Sequence, residues 1–144
     1  MEPRVTVVTF GVADVERSRR FYADGLGLPV RLVVPGEVLM LDVAPGFVLS
    51  FWDLEHMRAE VGDVGPAATA PVTIAHNVDS PAAVLAVLDE AVAAGAALVA
   101  PGRAREWGGF SGYFADPDGH RWEVAHNPSW TVDARGAVTD VRVS

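Results

Sequence analysis

The chain contains no cysteine, which excludes disulfides, thiolate metal sites and cysteine nucleophiles. Lysine is also missing, all 11 basic residues being arginine, so Schiff-base chemistry through a lysine amine is excluded. Positive charge is scarce as well: 19 acidic residues leave a net charge of −8. A nucleic-acid partner calls for clustered positive charge and is not expected. No apolar run approaches the ~20 residues needed to span a bilayer. The start, Met1-Glu2-Pro3-Arg4, shows no charged-then-apolar secretion signal. The expectation is a cytoplasmic protein with no membrane partner.

What is present is apolar material. Half of the 144 residues are hydrophobic, enough for the core of one ordinary domain or of two small fused repeats. Residues 5–12 are rich in β-branched side chains and predict a strand. Asp14 is a candidate N-cap for a helix running to about Asp24, with Val15, Ser18, Phe21 and Tyr22 on one stripe and Gly25 and Gly27 as a stop. Strands are expected at about 30–34, 37–43 and 47–53, punctuated by Pro35-Gly36 and Pro45-Gly46, with a helical turn over 54–61.

Residues 62–70 are small, polar and aperiodic, and form the linker candidate. The order then restarts. A strand is expected over 72–78, and Ser80-Pro81 supplies an N-cap followed by proline at the first helical position. The helix over 81–94 carries Val84, Leu88, Ala91 and Val92 on one stripe. Strands follow at about 97–100, 111–115 and 121–126, the last two joined by the turn Asp116-Pro117-Asp118-Gly119. The fold class read from this order is α+β, one domain made of two βαβββ modules at about 4–53 and 71–126. The tail 127–144 has its own turn signal at Asp133 to Gly136, which suggests a peripheral hairpin.

Two segments carry a family resemblance. Gly11 to Tyr22, ending in Leu26-Gly27, and Gly112-Tyr113-Phe114-Ala115-Asp116-Pro117-Asp118-Gly119-His120 followed by Trp122-Glu123-Val124 resemble the first strand-helix unit and the closing hairpin of the glyoxalase/bleomycin resistance/dioxygenase (vicinal oxygen chelate) superfamily. The resemblance implies a mixed sheet curled like a cup around a cleft, helices outside, and a homodimer that takes a small-molecule ligand. It does not imply one activity, because members include lyases, isomerases, dioxygenases and drug-sequestering proteins.

Enzymatic members hold a divalent ion with His and Glu from the first and last strands of each module. Counting back from the helix starts, the corresponding positions here are Val7, Ser50, Thr73 and Glu123. Only Glu123 is a good ligand, and one carboxylate is too little for a tight divalent site. No cofactor is therefore expected; the alternative is a Zn, Ni, Mn or Fe ion held in an unorthodox way. His76 enters a site only if a bulge reverses its face, because strand side chains alternate. Otherwise His76 and His126 fall with the helix-side set and serve a structural role, and His56 is expected on the surface.

The same alternation puts Thr9, Ser50, Trp52, Asn77, Arg121 and Glu123 on the cleft face. The segment Arg103 to Tyr113 combines glycines with Trp107, Phe110 and Tyr113, as either a lid over the cleft or a loop covering a sheet edge. Glu123 has two readings: a desolvated acid or base, or the ionised partner of Arg121. The leading expectation is a metal-free protein binding a small planar or aromatic molecule through Thr9, Ser50, Trp52, Asn77, Trp107, Phe110, Tyr113 and Arg121. The alternatives are a Glu123-dependent or metal-dependent enzyme and a protein-contact subunit with a vestigial cleft.

Overall fold

The computed structural model describes residues 1–67 and 70–141. Ala68 and Thr69, within the expected linker, and Arg142 to Ser144, at the end of the tail, lie outside the described residues. The chain divides into two compact units, Met1–Ala70 and Pro71–Ser144, each built around one four-stranded mixed sheet.

In the first unit β1 (Val7–Val12), β2 (Val30–Val34), β3 (Val38–Ala44) and β4 (Phe47–Asp53) lie in the order β1-β4-β3-β2. β1 runs parallel to β4 and the other neighbours are antiparallel. Helix α1 (Val15–Arg19) begins because the Asp14 carboxylate accepts from Glu16 N at 2.9 Å and Arg17 N at 3.1 Å, donors that helix geometry leaves unpaired. A single α-helix to Asp24 was expected; instead the chain widens after Arg19 into a π-helical turn, Arg20–Gly25. The wider turn accompanies two adjacent aromatics that are both buried, Phe21 and Tyr22. Tyr22 stacks on Phe51 of β4 at 4.3 Å and meets Phe21 edge-on at 4.8 Å. Leu39, Leu41, Leu49, Val12 and Val15 complete this core. A further helix, α2 (Leu54–Val61), follows β4 and lays Leu54 and Met57 over Gly11.

In the second unit β5 (Thr73–Asn77), β6 (Ala97–Ala104), β7 (Phe110–Ala115) and β8 (Arg121–His126) take the order β5-β8-β7-β6. β5 is parallel to β8. Helix α3 (Pro81–Ala93) starts at Ser80, whose Oγ accepts from Ala83 N at 3.2 Å. Its buried stripe is Val84, Leu88 and Ala91, whereas Val92, expected with them, is 45% exposed. The spacing 84, 88, 91 follows the helical repeat, and Val92 lies one further step round the axis.

β6 is longer than expected and twice bulged, so Arg103 and Ala104 are strand residues rather than loop. Gly112 of β7 sits beneath α3. A Cβ there would meet Leu88 Cδ1 at 2.5 Å, Gly102 N at 2.9 Å and Ala100 O at 3.0 Å. Two of those neighbours are backbone and cannot swing aside, so Gly112→Ala is expected to cost about 1–3 kcal/mol by overpacking. A urea midpoint unchanged from the wild type would contradict it.

The Asp116 to Gly119 turn closes as expected, with Gly119 N donating to Asp116 O at 2.9 Å. The Asp116 carboxylate, itself buried, also accepts from Asp118 N and His120 N. The tail forms the expected hairpin, β9 (Trp130–Val132) against β10 (Val138–Val141). Among the described residues no helix is long and apolar enough to cross a membrane.

Candidate functional site

Each sheet has a core side, packed on α1 in the first unit and on α3 in the second, and an opposite side, and strand register assigns every residue to one of them. In the first unit the side opposite α1, which α2 covers at Gly11, reads in cross-strand rows. Thr9, Ser50, Met40 and Leu32 form one, and Trp52, Val38 and Val34 form the next, beginning at Gly11. Val7, Val48 and Asp42 make the third, where Arg31 pairs with Asp42. This face is largely apolar. Ser50 is buried within it and Trp52 is half-buried.

The second unit presents a different chemistry. Its rows are Thr73–Arg121–Ala115–Ala97, then Ala75–Glu123–Tyr113–Ala100, then Asn77–Ala125–Ser111–Arg103. Alanines flank the middle row at both ends, leaving Tyr113 and Glu123 as its only large side chains. The Tyr113 hydroxyl donates to Glu123 Oε1 at 2.8 Å. That bond, then burial, then the Glu123 charge push the Tyr113 phenol above its usual pKa, while Arg105 pulls the other way.

Arg105, just past the end of β6, folds back over this cluster. Its Nε donates to Ser111 Oγ at 2.9 Å and its Nη2 to the Ser111 carbonyl at 3.0 Å. The guanidinium carbon stands 5.7 Å from the Tyr113 ring centre, a cation–π distance. Ser111 is 1% exposed, so the arginine is tied to a fixed point of the sheet. Arg103, Ala104, Arg105, Glu106 and Trp107 line a surface depression of about 390 Å³.

Of the two readings of Glu123, the pair with Arg121 is not formed: Arg121 Nη1 donates to the Gly119 carbonyl at 3.1 Å, and Glu123 accepts the Tyr113 hydroxyl hydrogen bond instead. Phe110 lies apart from Tyr113, on the helix side next to Gly102 and Leu85 of α3. The rim loop is short, residues 105–109. There Trp107 folds over Gly109, its ring filling the space a Cβ would need. Arg105 and Ser111 were not singled out from sequence. The available signal was parity, since Ser111 stands two residues before Tyr113 on the same face.

The β5–β8 register runs without a shift, so no bulge turns His76 around. It faces the helix side, where loss of surrounding water lowers its pKa and Glu90 of α3 opposes the shift. His126 Nδ1 lies 3.3 Å from the Val78 carbonyl. His56 is exposed and packs its Nδ1 at 2.8 Å from Asp53, the N-cap of α2. Val7 and Thr73 hold equivalent places in the two sheets, as do Ser50 and Glu123. Neither unit's pair suits a divalent ion by its chemistry: in the first, valine has no donor and serine is a weak neutral ligand; in the second, threonine is equally weak and the carboxylate is engaged by Tyr113. Among the described residues no three His, Asp or Glu side chains converge as a metal-binding group.

Comparison with known proteins adds the following. A model of the Glyoxalase/Bleomycin resistance protein/Dioxygenase superfamily matches residues 4–124. No curated protein matches the chain. Among solved structures the chain is similar to a glyoxalase-related enzyme from Fulvimarina pelagi, at 38% identity over 97% of this chain and 99% of that one, with a TM-score of 0.88. It is also similar to a glyoxalase/bleomycin resistance protein/dioxygenase from Nocardioides, at 25% identity over 88% and 84%, TM-score 0.73. In fold alone it resembles a lactoylglutathione lyase from Agrobacterium tumefaciens, at 21% identity over 88% and 96%, TM-score 0.68.

Proposed function

The chain belongs to the Glyoxalase/Bleomycin resistance protein/Dioxygenase superfamily, and from that premise we propose that it binds a small planar or aromatic molecule without a tightly bound metal. The observation that carries the reading is the engagement of Glu123 by the Tyr113 hydroxyl. A carboxylate already satisfied by a phenol, with Val7, Ser50 and Thr73 at the companion positions, offers an ion no set of ligands. What the faces offer instead is flat apolar surface, from Trp52 in the first unit and from Tyr113 and Trp107 in the second, with Thr9 and Ser50 as polar anchors in the one and Asn77 and Arg121 in the other. Aromatic rings of this kind supply large contact area with a polar edge. The reading includes a cytoplasmic homodimer, supported by the exposed Val30, Leu32 and Val34 along edge strand β2, a surface that a second chain would cover.

The test has two parts. Purified protein is expected to carry no stoichiometric metal and to show no heat on titration with Zn, Ni, Mn or Fe. Tryptophan fluorescence is expected to change on titration with planar aromatic compounds. A stoichiometric ion lost in Glu123→Gln, or silence across a broad aromatic panel, would overturn the proposal.

The Tyr113–Glu123 bond also favours a second reading. A carboxylate held against a phenol on a half-buried face is placed to exchange a proton with a substrate, as a Glu123-dependent lyase, isomerase or dioxygenase requires. Under this reading Glu123→Gln abolishes turnover while the fold is kept. Under the first, ligand binding survives the change.

A further inference from the structure

The arginines of the two units are used differently. In the first unit Arg4, Arg19, Arg20, Arg31 and Arg58 each lie against a carboxylate. Arg103 and Arg105 of the second unit do not. Arg105 spends its Nε and Nη2 on Ser111, and among the described residues no carboxylate pairs with either guanidinium. In a chain of net charge −8, two neighbouring unneutralised cations are a departure from the surrounding field.

Their placement makes them a site rather than stray surface charge. Both line the depression that also contains Trp107. Arg105 is held in one orientation by buried Ser111, with the Tyr113 ring beneath it. Arg103 shares the cross-strand row of Ser111 and is exposed. Trp107 is 44% exposed, its benzo edge seated on Gly109. A guanidinium offers planar, directed donors that match a carboxylate, and an indole offers the face of a ring.

We propose that Arg103 and Arg105 form an anion-binding subsite for the carboxylate of an aromatic acid, whose ring lies against Trp107. The inference rests on the aromatic-ligand reading above and narrows it to acids. Glu106 lines the same depression and works against the ligand by like charge, so it tunes affinity downward. Arg121, at the far end of the face and committed to the Gly119 carbonyl, is outside the subsite.

The test uses the full chain and matched probes: benzoate, 1-naphthoate and 2-naphthoate against the corresponding aryl methanols, by calorimetry and tryptophan fluorescence. The acids are expected to bind about tenfold more tightly than the alcohols, the scale of a charge-assisted hydrogen bond. Arg103→Gln removes that preference and leaves alcohol binding as it was; the residue is exposed and has no hydrogen-bond or ion-pair partner among the described residues, so folding is not at issue. Arg105→Gln acts in the same direction, Glu106→Gln tightens the acids, and Arg135→Gln on the β9–β10 hairpin changes nothing. Acids binding no better than alcohols, or a preference that survives both arginine substitutions, overturns the subsite while leaving the aromatic reading intact. If neither class binds, the aromatic reading falls and takes the subsite with it.

Discussion

Phe51→Ala is expected to destabilise the Met1–Ala70 unit by about 3–5 kcal/mol. Phe51 is fully buried and holds three other elements in place. Tyr22 of the π-helical turn stacks on it at 4.3 Å, Phe10 of β1 lies at 5.9 Å, and Leu39 of β3 is its cross-strand partner. Removing the ring leaves a void whose walls are pinned. β4 is hydrogen-bonded on both sides, by β1 and β3, so the sheet cannot collapse into the gap and the cavity cost adds to the lost transfer energy. Against a typical total of about 5–15 kcal/mol, the loss is a large share. Urea unfolding followed by far-UV circular dichroism checks it. A loss under about 1 kcal/mol would mean that Tyr22 does not rest on this ring. Phe51→Leu retains most of the volume and is expected to cost far less.

Glu123→Gln is expected to lower the pKa of Tyr113, with the phenol titrating at a lower pH than in the wild type. In the native protein the hydrogen bond to Glu123 is the first cause that raises this pKa, followed by burial and by the negative charge of the carboxylate. Glutamine keeps an acceptor but removes the charge that a phenolate would have to face. The sign follows from linkage. A group whose folded pKa is raised adds stability that is fully present below its unfolded value, near 10 for tyrosine. That stability is lost as pH rises through the higher folded value. The wild type is therefore expected to lose stability in that alkaline window, and the variant to lose less. The readout is direct because the chain has two tyrosines, and Tyr22 is fully buried. Absorbance at 295 nm, compared between wild type and variant, then reads the change at Tyr113, the phenol bonded to the substituted side chain. An identical titration curve in the variant would show that the bond to Glu123 does not govern the phenol.

The same substitution separates the two functional readings. A binding protein that uses its aromatic surface keeps its ligand when Glu123 becomes glutamine. A catalyst that moves protons through this carboxylate does not keep its turnover.

Much of this molecule was legible locally. The Asp14 and Ser80 caps, proline at the start of α3, the Asp116 to Gly119 turn and the terminal hairpin all rest on interactions within a few residues, which sequence displays directly. The two faces of each strand were legible for a related reason: the alternation of side chains is a property of the single chain. It placed Val8, Phe10, Leu49, Phe51, Trp122 and Val124 on the core side and Thr9, Ser50, Trp52 and Glu123 opposite. The family, too, was readable, from two local motifs in the right order.

What the tertiary structure alone decided is which partners meet. Local spacing offered Arg121, two residues away on one strand, as one of two readings for Glu123. The fold gives Glu123 to Tyr113 on the neighbouring strand instead, because directly opposed residues lie closer than same-face residues along a strand. It turned Phe110 to the helix side, tied Arg105 to Ser111 across the β6–β7 loop and widened the first helix so that Phe21 and Tyr22 are both buried. Each of these depends on cross-strand register, a bulge or a packing demand from a distant element. The sequence by itself determined the order of elements, the caps that start the helices and the faces of the strands, because those follow from short-range sterics and hydrogen bonding. The contacts that make the candidate site were left to long-range packing, which no short stretch of sequence contains.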